Sequence, residues 1–240
     1  MRAALRRLEA TQRFNPTVLG AFVNPFYLAR RALWEAMAEL APAASGRLLD
    51  VGCGTQPYRA LFDVDEYVGL EVDSPNARAQ GIADLYYDGA SFPTPDRHFD
   101  TVLCNQVLEH VFNPNDFIDE LHRVLVPGGQ LLLTVPFIWD EHEQPHDFAR
   151  YSSFGLRAML ERHGFRVIEH RKLLADFSVL CQLLNAWIFK VMQHRGRLWN
   201  LMATASVMGP ISLVGAVLAR VLPKNQDLYL DQAIVAERIG

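Results

Sequence analysis

The sequence lacks several features that would place it in a specialised class. Its 240 residues include only three cysteines, which lie far apart and give no disulfide framework. The formal charge is −4 and the isoelectric point is near 6.1, so no nucleic-acid partner is expected. The first nine residues lack the apolar run of a signal peptide, and no internal repeat is visible. Together these absences predict a cytoplasmic chain, with membrane association as a second option.

A glycine pattern follows the first strand-like run of the chain. The apolar run that contains Asp50 leads directly into Gly52 and Gly54. Bare backbone at the carboxyl end of a buried parallel strand is where open α/β sheets bind small ligands. Glu71 closes the next such run, where a carboxylate can accept both hydroxyls of a ribose. A dinucleotide fingerprint needs a third glycine where Pro57 stands, which disfavours a nicotinamide-dependent oxidoreductase.

Strand and helix patterns alternate along the middle of the chain. Half of the residues are hydrophobic, enough for one core and at most one domain with appendages. Residues 1 to about 44 read as helices, one of them starting at Asn24-Pro25. Strands are predicted at 47–52, 67–72, 83–87, 99–104, 129–135, 165–169 and 228–236, and helices at 114–125 and 154–163. This alternation predicts an α/β protein with a doubly wound parallel sheet.

The series of motifs between residues 46 and 172 resembles that of class I S-adenosylmethionine-dependent methyltransferases. The motifs that carry it are D-x-G-x-G at 50–54, Glu71, Asp88-Gly89, Asn105-Gln106, Leu108-Glu109-His110 and Pro127-Gly128-Gly129. The resemblance implies a Rossmann-like sheet, mostly parallel with an antiparallel last strand, and helices on both faces. It also implies a helical lid at 1–45 and a cofactor-binding domain at 46–240. The chain departs from a minimal member of the family by an apolar helical insertion at about 174–224.

The same resemblance implies a site for S-adenosyl-L-methionine. Its cofactor-binding residues are Asp50, Gly52, Gly54, Glu71, Asp88, Gly89 and Asn105. Asp50 suits the ammonium group, Glu71 the ribose hydroxyls and Asp88 the adenine amino group. Asp-Gly is also a common turn pair, so a simple turn at Asp88 stays the alternative.

A histidine-rich loop follows the fifth strand. His142 to His146 spells the H-E-x-x-H zinc motif, but Pro145 opposes the regular helix that this motif needs. The loop is similar to an H-x-x-P-H-D-x-x-R-Y segment in methyltransferases of polysaccharide and small-metabolite pathways. We predict that His146 is a catalytic base, which Asp147 could orient. Substrate binding is assigned to His142, Asp147, Arg150 and Tyr151. The alternative is a surface loop whose histidines are incidental.

A second cluster of polar residues follows the fourth strand. If a helix begins there, Gln106, Glu109 and His110 share one face. The run is similar to the E-x-x-E-H arrangement with which, together with a later histidine, certain small-RNA 2′-O-methyltransferases and ubiquinone-pathway O-methyltransferases hold a divalent metal. Here Gln106 replaces the first glutamate, and an amide is a poorer ligand for a hard cation. We therefore predict no metal, with His110 as a second candidate catalytic residue. The alternative is that Glu109 and His110 only cap and brace the helix.

The insertion before the last strand is mostly apolar. Residues 177–189 and 198–219 carry no formal charge and flank a basic connector. The second stretch has the length of a membrane span, but a single crossing would separate the last strand from its sheet. We expect a helical pair that covers the acceptor pocket or pairs two subunits as a homodimer. Shallow peripheral membrane contact is the alternative.

Taken together, the patterns predict an S-adenosylmethionine-dependent methyltransferase. The expected reaction is O-methylation of a small-molecule, sugar or lipid-linked acceptor, assisted by a histidine base. The rival interpretation is a regulatory or scaffold protein that binds the cofactor without transferring its methyl group. The sequence leaves the acceptor and the oligomeric state open.

Overall fold

The computed structural model describes residues 11–240, so the first ten residues of the predicted lid lie outside the described part. The chain forms two compact units. Within the described part, one contains residues 11–36 together with 138–140 and 172–231, and the other contains 37–137, 141–171 and 232–240. The predicted lid is therefore divided between the two units after Ala36, whereas the whole predicted insertion lies in the first unit and the cofactor motifs lie in the second.

The unit with the cofactor motifs is built around a seven-stranded sheet of order β3-β2-β1-β4-β5-β7-β6. The strands are β1 (Arg47–Val51), β2 (Glu66–Val72), β3 (Leu85–Tyr87), β4 (Phe99–Asn105), β5 (Leu125–Pro136), β6 (Phe165–Leu173) and β7 (Asp231–Arg238). The neighbours from β3 to β5 are parallel, and β7 runs antiparallel. This confirms the predicted Rossmann-like sheet, which is mostly parallel with an antiparallel last strand.

Helices cover this sheet, and two of them begin after a serine whose side chain caps the first turn. The described helices of this unit are α2 (Pro75–Gln80), α3 (Pro114–Val124) and α4 (Ser153–Arg162). In α3 the apolar residues recur at helical spacing, and Phe117, Ile118 and Leu121 are buried in the core with the central strands. The Ser152 hydroxyl accepts a hydrogen bond from Gly155 N at the start of α4. The core thus lies between helices and a sheet whose central strands are almost wholly buried.

The other unit is helical. It contains the first turns of α1 (Tyr27–Leu40), then α5 (Ser178–Met192), α6 (Arg197–Ala203) and α7 (Gly209–Val221). A π-helical turn, Thr204–Met208, joins α6 to α7, so that Arg197–Val221 is one helical run of 25 residues, and an 18-residue window within it has a mean hydropathy of 1.8. By length and composition alone this run could cross a membrane. The predicted helical insertion is thereby confirmed.

Candidate functional site

Two glycines shape the turn after β1. Gly52 has φ +69°, and a Cβ atom there would lie 2.4 Å from Cγ2 of Val107. Gly54 has φ +49°, and a Cβ atom there would meet no atom within 4 Å. The backbone at Gly54 therefore borders open space, as a turn that admits a cofactor requires.

The carboxylate of Glu71 is held at the end of β2, next to this turn. Gly54 N donates to its Oε2 at 2.8 Å, and Val72 N donates to its Oε1 at 3.0 Å. Each carboxylate oxygen can accept a second hydrogen bond, so two ribose hydroxyls can still be bound. The structure thus brings Gly54 and Glu71 together as the sequence predicts.

Asp50 is a buried acid beneath the same turn. Its side chain accepts a hydrogen bond from the Tyr67 hydroxyl at 2.6 Å, and the residue is 5% exposed. Burial raises the pKa of Asp50 to about 7, with a smaller contribution from Glu71, while the Tyr67 hydrogen bond opposes the rise. A cationic group placed nearby would favour the ionised form. Asp50 therefore fits the ammonium end of the predicted cofactor, directly or through water.

The remaining predicted cofactor residues make contacts within the protein. One carboxylate oxygen of Asp88 accepts from Ala90 N at 2.9 Å and Ser91 N at 3.1 Å, and these bonds lower the pKa of Asp88. This oxygen of Asp88 therefore closes a turn, as the alternative interpretation of Asp88-Gly89 expects. The Asn105 amide oxygen accepts from the Thr134 hydroxyl at 2.7 Å. This hydrogen bond anchors the Asn105 side chain to β5.

His110 is oriented by a backbone carbonyl. It lies in a short 3-10 turn, Leu108–His110, and its Nδ1 is 2.6 Å from the carbonyl oxygen of His146. A carbonyl oxygen only accepts, so Nδ1 donates this bond, and in the neutral tautomer with that proton the lone pair lies on Nε2. Nε2 lies 3.7 Å from Oε1 of Glu109, whose side chain is fully buried. The arrangement pairs a basic nitrogen with a carboxylate.

His142 joins this pair from the loop after β5. Its ring stands edge-on to that of His110 with the centroids 4.8 Å apart. Ligand-type atoms of Glu109, His110 and His142 all lie within 4.8 Å of one another, so this group is a candidate for a metal ion. Gln106, by contrast, turns away and donates to the Thr134 hydroxyl at 3.3 Å. A later histidine thus joins Glu109 and His110, as in the metal-binding form of the E-x-x-E-H arrangement, whereas Gln106 stays outside the group.

Asp147 and Arg150 are bound to each other. Nη1 and Nη2 of Arg150 contact the two oxygens of Asp147 at 2.6 and 2.8 Å, and His142 N also donates to Asp147 at 2.9 Å. The Arg150 hydrogen bonds come first among the interactions that lower the pKa of Asp147 to about 2. Its side chain is 4% exposed. The prediction that Asp147 orients His146 is wrong, because Asp147 faces His142 and Arg150 instead.

Tyr151 also differs from its predicted role. Its hydroxyl oxygen is buried, its ring packs against the core, and burial raises its pKa to about 12, with the charge of Glu109 next. Its backbone carbonyl accepts from Gln232 Nε2 at 2.6 Å. A hydroxyl inside the core does not bind a substrate at the surface, so Tyr151 supports the loop. The 142–146 segment is not helical, in agreement with the effect expected of Pro145.

Comparison with known proteins agrees with this geometry. A family described as a methyltransferase domain matches residues 26–170. A probable S-adenosylmethionine-dependent methyltransferase of Mycolicibacterium smegmatis is 34% identical over 106 residues, 40% of this chain and 41% of that protein. A fatty-acid O-methyltransferase of the same organism is 36% identical over 114 residues, 42% of this chain and 41% of that protein. The matches thus span about two fifths of each of these relatives.

The fold has a counterpart among solved structures. The [4+2]-cyclase SpnF superposes with a TM-score of 0.58 at 24% identity, covering 88% of this chain and 82% of that one. At this identity the likeness concerns the fold alone. The family match covers more than half of the chain, and the residues around Gly54, Glu71 and Asp50 suit an adenosine cofactor with an ammonium group. The chain therefore belongs to the class I methyltransferase family, whose cofactor is S-adenosylmethionine.

Proposed function

We propose that the protein transfers a methyl group from S-adenosylmethionine to a hydroxyl oxygen of a small-molecule, sugar or lipid-linked acceptor. The observation that carries this proposal is the oriented pair of His110 and Glu109, held by the carbonyl of His146. An oxygen acceptor must lose its proton during transfer, and a neutral imidazole with a defined lone pair is suited to take it. The relative named as a fatty-acid O-methyltransferase supports an oxygen acceptor.

The cofactor, when bound, supplies a methyl group already activated on a sulfonium centre. The chain would bind the ribose with Glu71, leave room for the cofactor at Gly54 and offer Asp50 to the ammonium group. Methyl transfer needs the acceptor oxygen in line with the leaving sulfur, at about 3 Å from the methyl carbon. The task of the remaining site residues is therefore to position the acceptor and remove its proton.

We assign proton removal to Nε2 of His110 in preference to His146. Protonation of Nε2 creates an imidazolium beside the buried carboxylate of Glu109, and the opposite charge stabilises it. The side chain of His146 is exposed, and its carbonyl provides the contact that fixes the ring of His110. His142, together with the Asp147–Arg150 pair, keeps the loop in place.

The experiment measures transfer of labelled methyl from S-adenosylmethionine to a panel of hydroxylated fatty acids, sugars and polyprenyl-linked sugars. His110→Asn retains a donor where Nδ1 stands but removes Nε2. We expect kcat to fall by about 10²–10³-fold with cofactor affinity unchanged, the usual size of a lost general base. His146→Ala is the matched control and should keep most of the activity, because only its backbone is used.

Two outcomes would contradict the proposal. Equal kcat in wild type and His110→Asn would remove His110 from the chemistry. Cofactor binding without transfer to any hydroxyl, amine or carbon acceptor would favour the rival interpretation of a regulatory or scaffold protein. Cofactor binding and methyl transfer must therefore be measured separately, because the same fold also occurs in a protein named as a cyclase.

A further inference from the structure

The helical unit places polar side chains inside. Gln182 and Asn185 of α5 are fully buried. Asn185 Nδ2 donates to the Met208 carbonyl at 3.0 Å and to the Ser212 hydroxyl at 2.9 Å, while Gln182 accepts from Ala29 N at 3.2 Å. Buried amides with these partners hold the helices together. The interior of the unit therefore combines these hydrogen-bonded amides with buried apolar residues such as Leu28 and Val179.

The outward faces of the same helices are apolar. On α5 the exposed residues Leu180, Leu184, Trp187 and Val191 recur at helical spacing and form one stripe. On α7 the exposed valines are Val214, Val217 and Val221, and Arg220 is exposed beside them. Trp187 is 65% exposed and Val221 is 69% exposed. We call these two stripes, together with the 193–199 turn, the apolar helical surface. Exposed apolar area of this kind marks a site of interaction.

The charge of this segment differs from that of the whole chain. Between Asp176 and Asp227 there are five lysines and arginines and no acidic residue, whereas the chain as a whole carries a charge of −4. Arg195, Arg197 and Lys224 are exposed and flank the apolar helices. Trp199, which is 59% exposed, follows the basic turn. Tryptophan and basic residues beside apolar side chains are typical of segments at a membrane–water interface.

The dimensions favour lying on a membrane over crossing it. A pair of crossing helices must each span about 30 Å of hydrocarbon, and the 15 residues of α5 reach only about 22 Å. A single crossing by the Arg197–Val221 run would separate β7 from the sheet in which it pairs. These helices can therefore insert apolar side chains into the surface of a membrane without crossing it.

We propose that the apolar helical surface docks on an anionic phospholipid membrane. Exposed apolar residues enter the interface, and the basic residues meet lipid phosphates. A second copy of the chain fits less well, because a two-fold contact would bring two positively charged segments together. This inference does not depend on the reaction proposed above.

The test is flotation of the full chain with phosphatidylcholine vesicles, with and without phosphatidylglycerol. We expect binding that needs phosphatidylglycerol and weakens as salt is raised. The double variant Leu184→Glu, Val217→Glu should bind at least tenfold more weakly. The matched control is Phe154→Glu, since Phe154 is 83% exposed but lies on α4 in the other unit. It should bind as wild type does.

A second double variant, Arg195→Glu with Arg197→Glu, tests the basic residues. It should also weaken vesicle binding by about tenfold or more. Circular dichroism confirms that each variant is folded. Failure of the wild type to float with anionic vesicles overturns the proposal, as does equal binding by the Leu184/Val217 variant and the Phe154 control. A concentration-dependent dimer that the Leu184/Val217 variant abolishes, seen by ultracentrifugation without vesicle binding, would assign the surface to a second copy.

Discussion

Replacing Asp50 by asparagine should stabilise the free protein at alkaline pH. Burial shifts the pKa of Asp50 from 3.8 to about 7 in the folded state. The folded-state pKa is higher than the unfolded-state value. Asp50 therefore does not lower the stability of the protein below pH ~3.8, and it lowers that stability progressively as pH rises towards ~7. A shift of ~3 units corresponds to about 4 kcal/mol at pH 8, because each unit is worth about 1.4 kcal/mol. Asparagine carries no charge and can still accept from the Tyr67 hydroxyl.

Thermal unfolding of wild type and Asp50→Asn across the range pH 4 to 8 measures this difference. We expect a higher Tm for the variant at pH 8, by roughly 10 °C for a protein of this size, and nearly equal values at pH 4. Asp63→Asn, at an exposed carboxylate, is the control and should leave Tm unchanged at every pH. A gain of the same size at pH 4 and pH 8, or a lower Tm at pH 8, would refute the assignment of a charged, buried Asp50.

Three further predictions concern ligands. Glu71→Ala should weaken the binding of S-adenosylhomocysteine, measured by calorimetry, roughly 30- to 100-fold, because a charged hydrogen-bonding partner is lost. Glu66→Gln on the same strand is the control and should leave this affinity unchanged. Gly54→Ala should fold with a modest loss of stability, because a Cβ there meets no atom within 4 Å but φ of +49° strains an alanine. It should bind the cofactor more weakly, and unchanged affinity would mean that the cofactor passes elsewhere. Added Zn²⁺ should inhibit transfer by occupying Nε2 of His110, and EDTA should restore it. Persistent activity in Zn²⁺ would show that the base is another group.

The sequence predicted the cofactor end of the sheet well because its contacts follow from local rules. Gly54 and Glu71 end adjacent parallel strands, and such ends meet at one edge of the sheet. The start of β5 was predicted too late, at residue 129, because Pro127 and Gly128 read as a break. In the structure the strand begins at Leu125, with an irregular register against Phe99 and Thr101 that accommodates the extra residues.

The acceptor side was predicted less well because its contacts join segments that no periodicity relates. His142 reaches His110 from another loop, and Asp147 is held by Arg150 in place of His146. A pattern of residue types names the polar groups of a loop but not which of them pair, since loop geometry is fixed by the surrounding fold. The exposure of the apolar stripe on α5 could not be predicted either, although its residues do follow a periodicity. Apolar residues at helical spacing normally face a core, so the same pattern predicts burial.

The carbonyl of His146, which fixes the ring of His110, has a consequence for how this loop tolerates change. Every residue type other than glycine and proline offers the same carbonyl from a similar backbone. The side chain at position 146 can therefore vary while the hydrogen bond that orients His110 stays in place. A library of variants could change the exposed side chains of the loop while keeping Asp147 and Arg150. Such variants could be screened for new acceptors with the contact between the carbonyl of residue 146 and His110 unchanged.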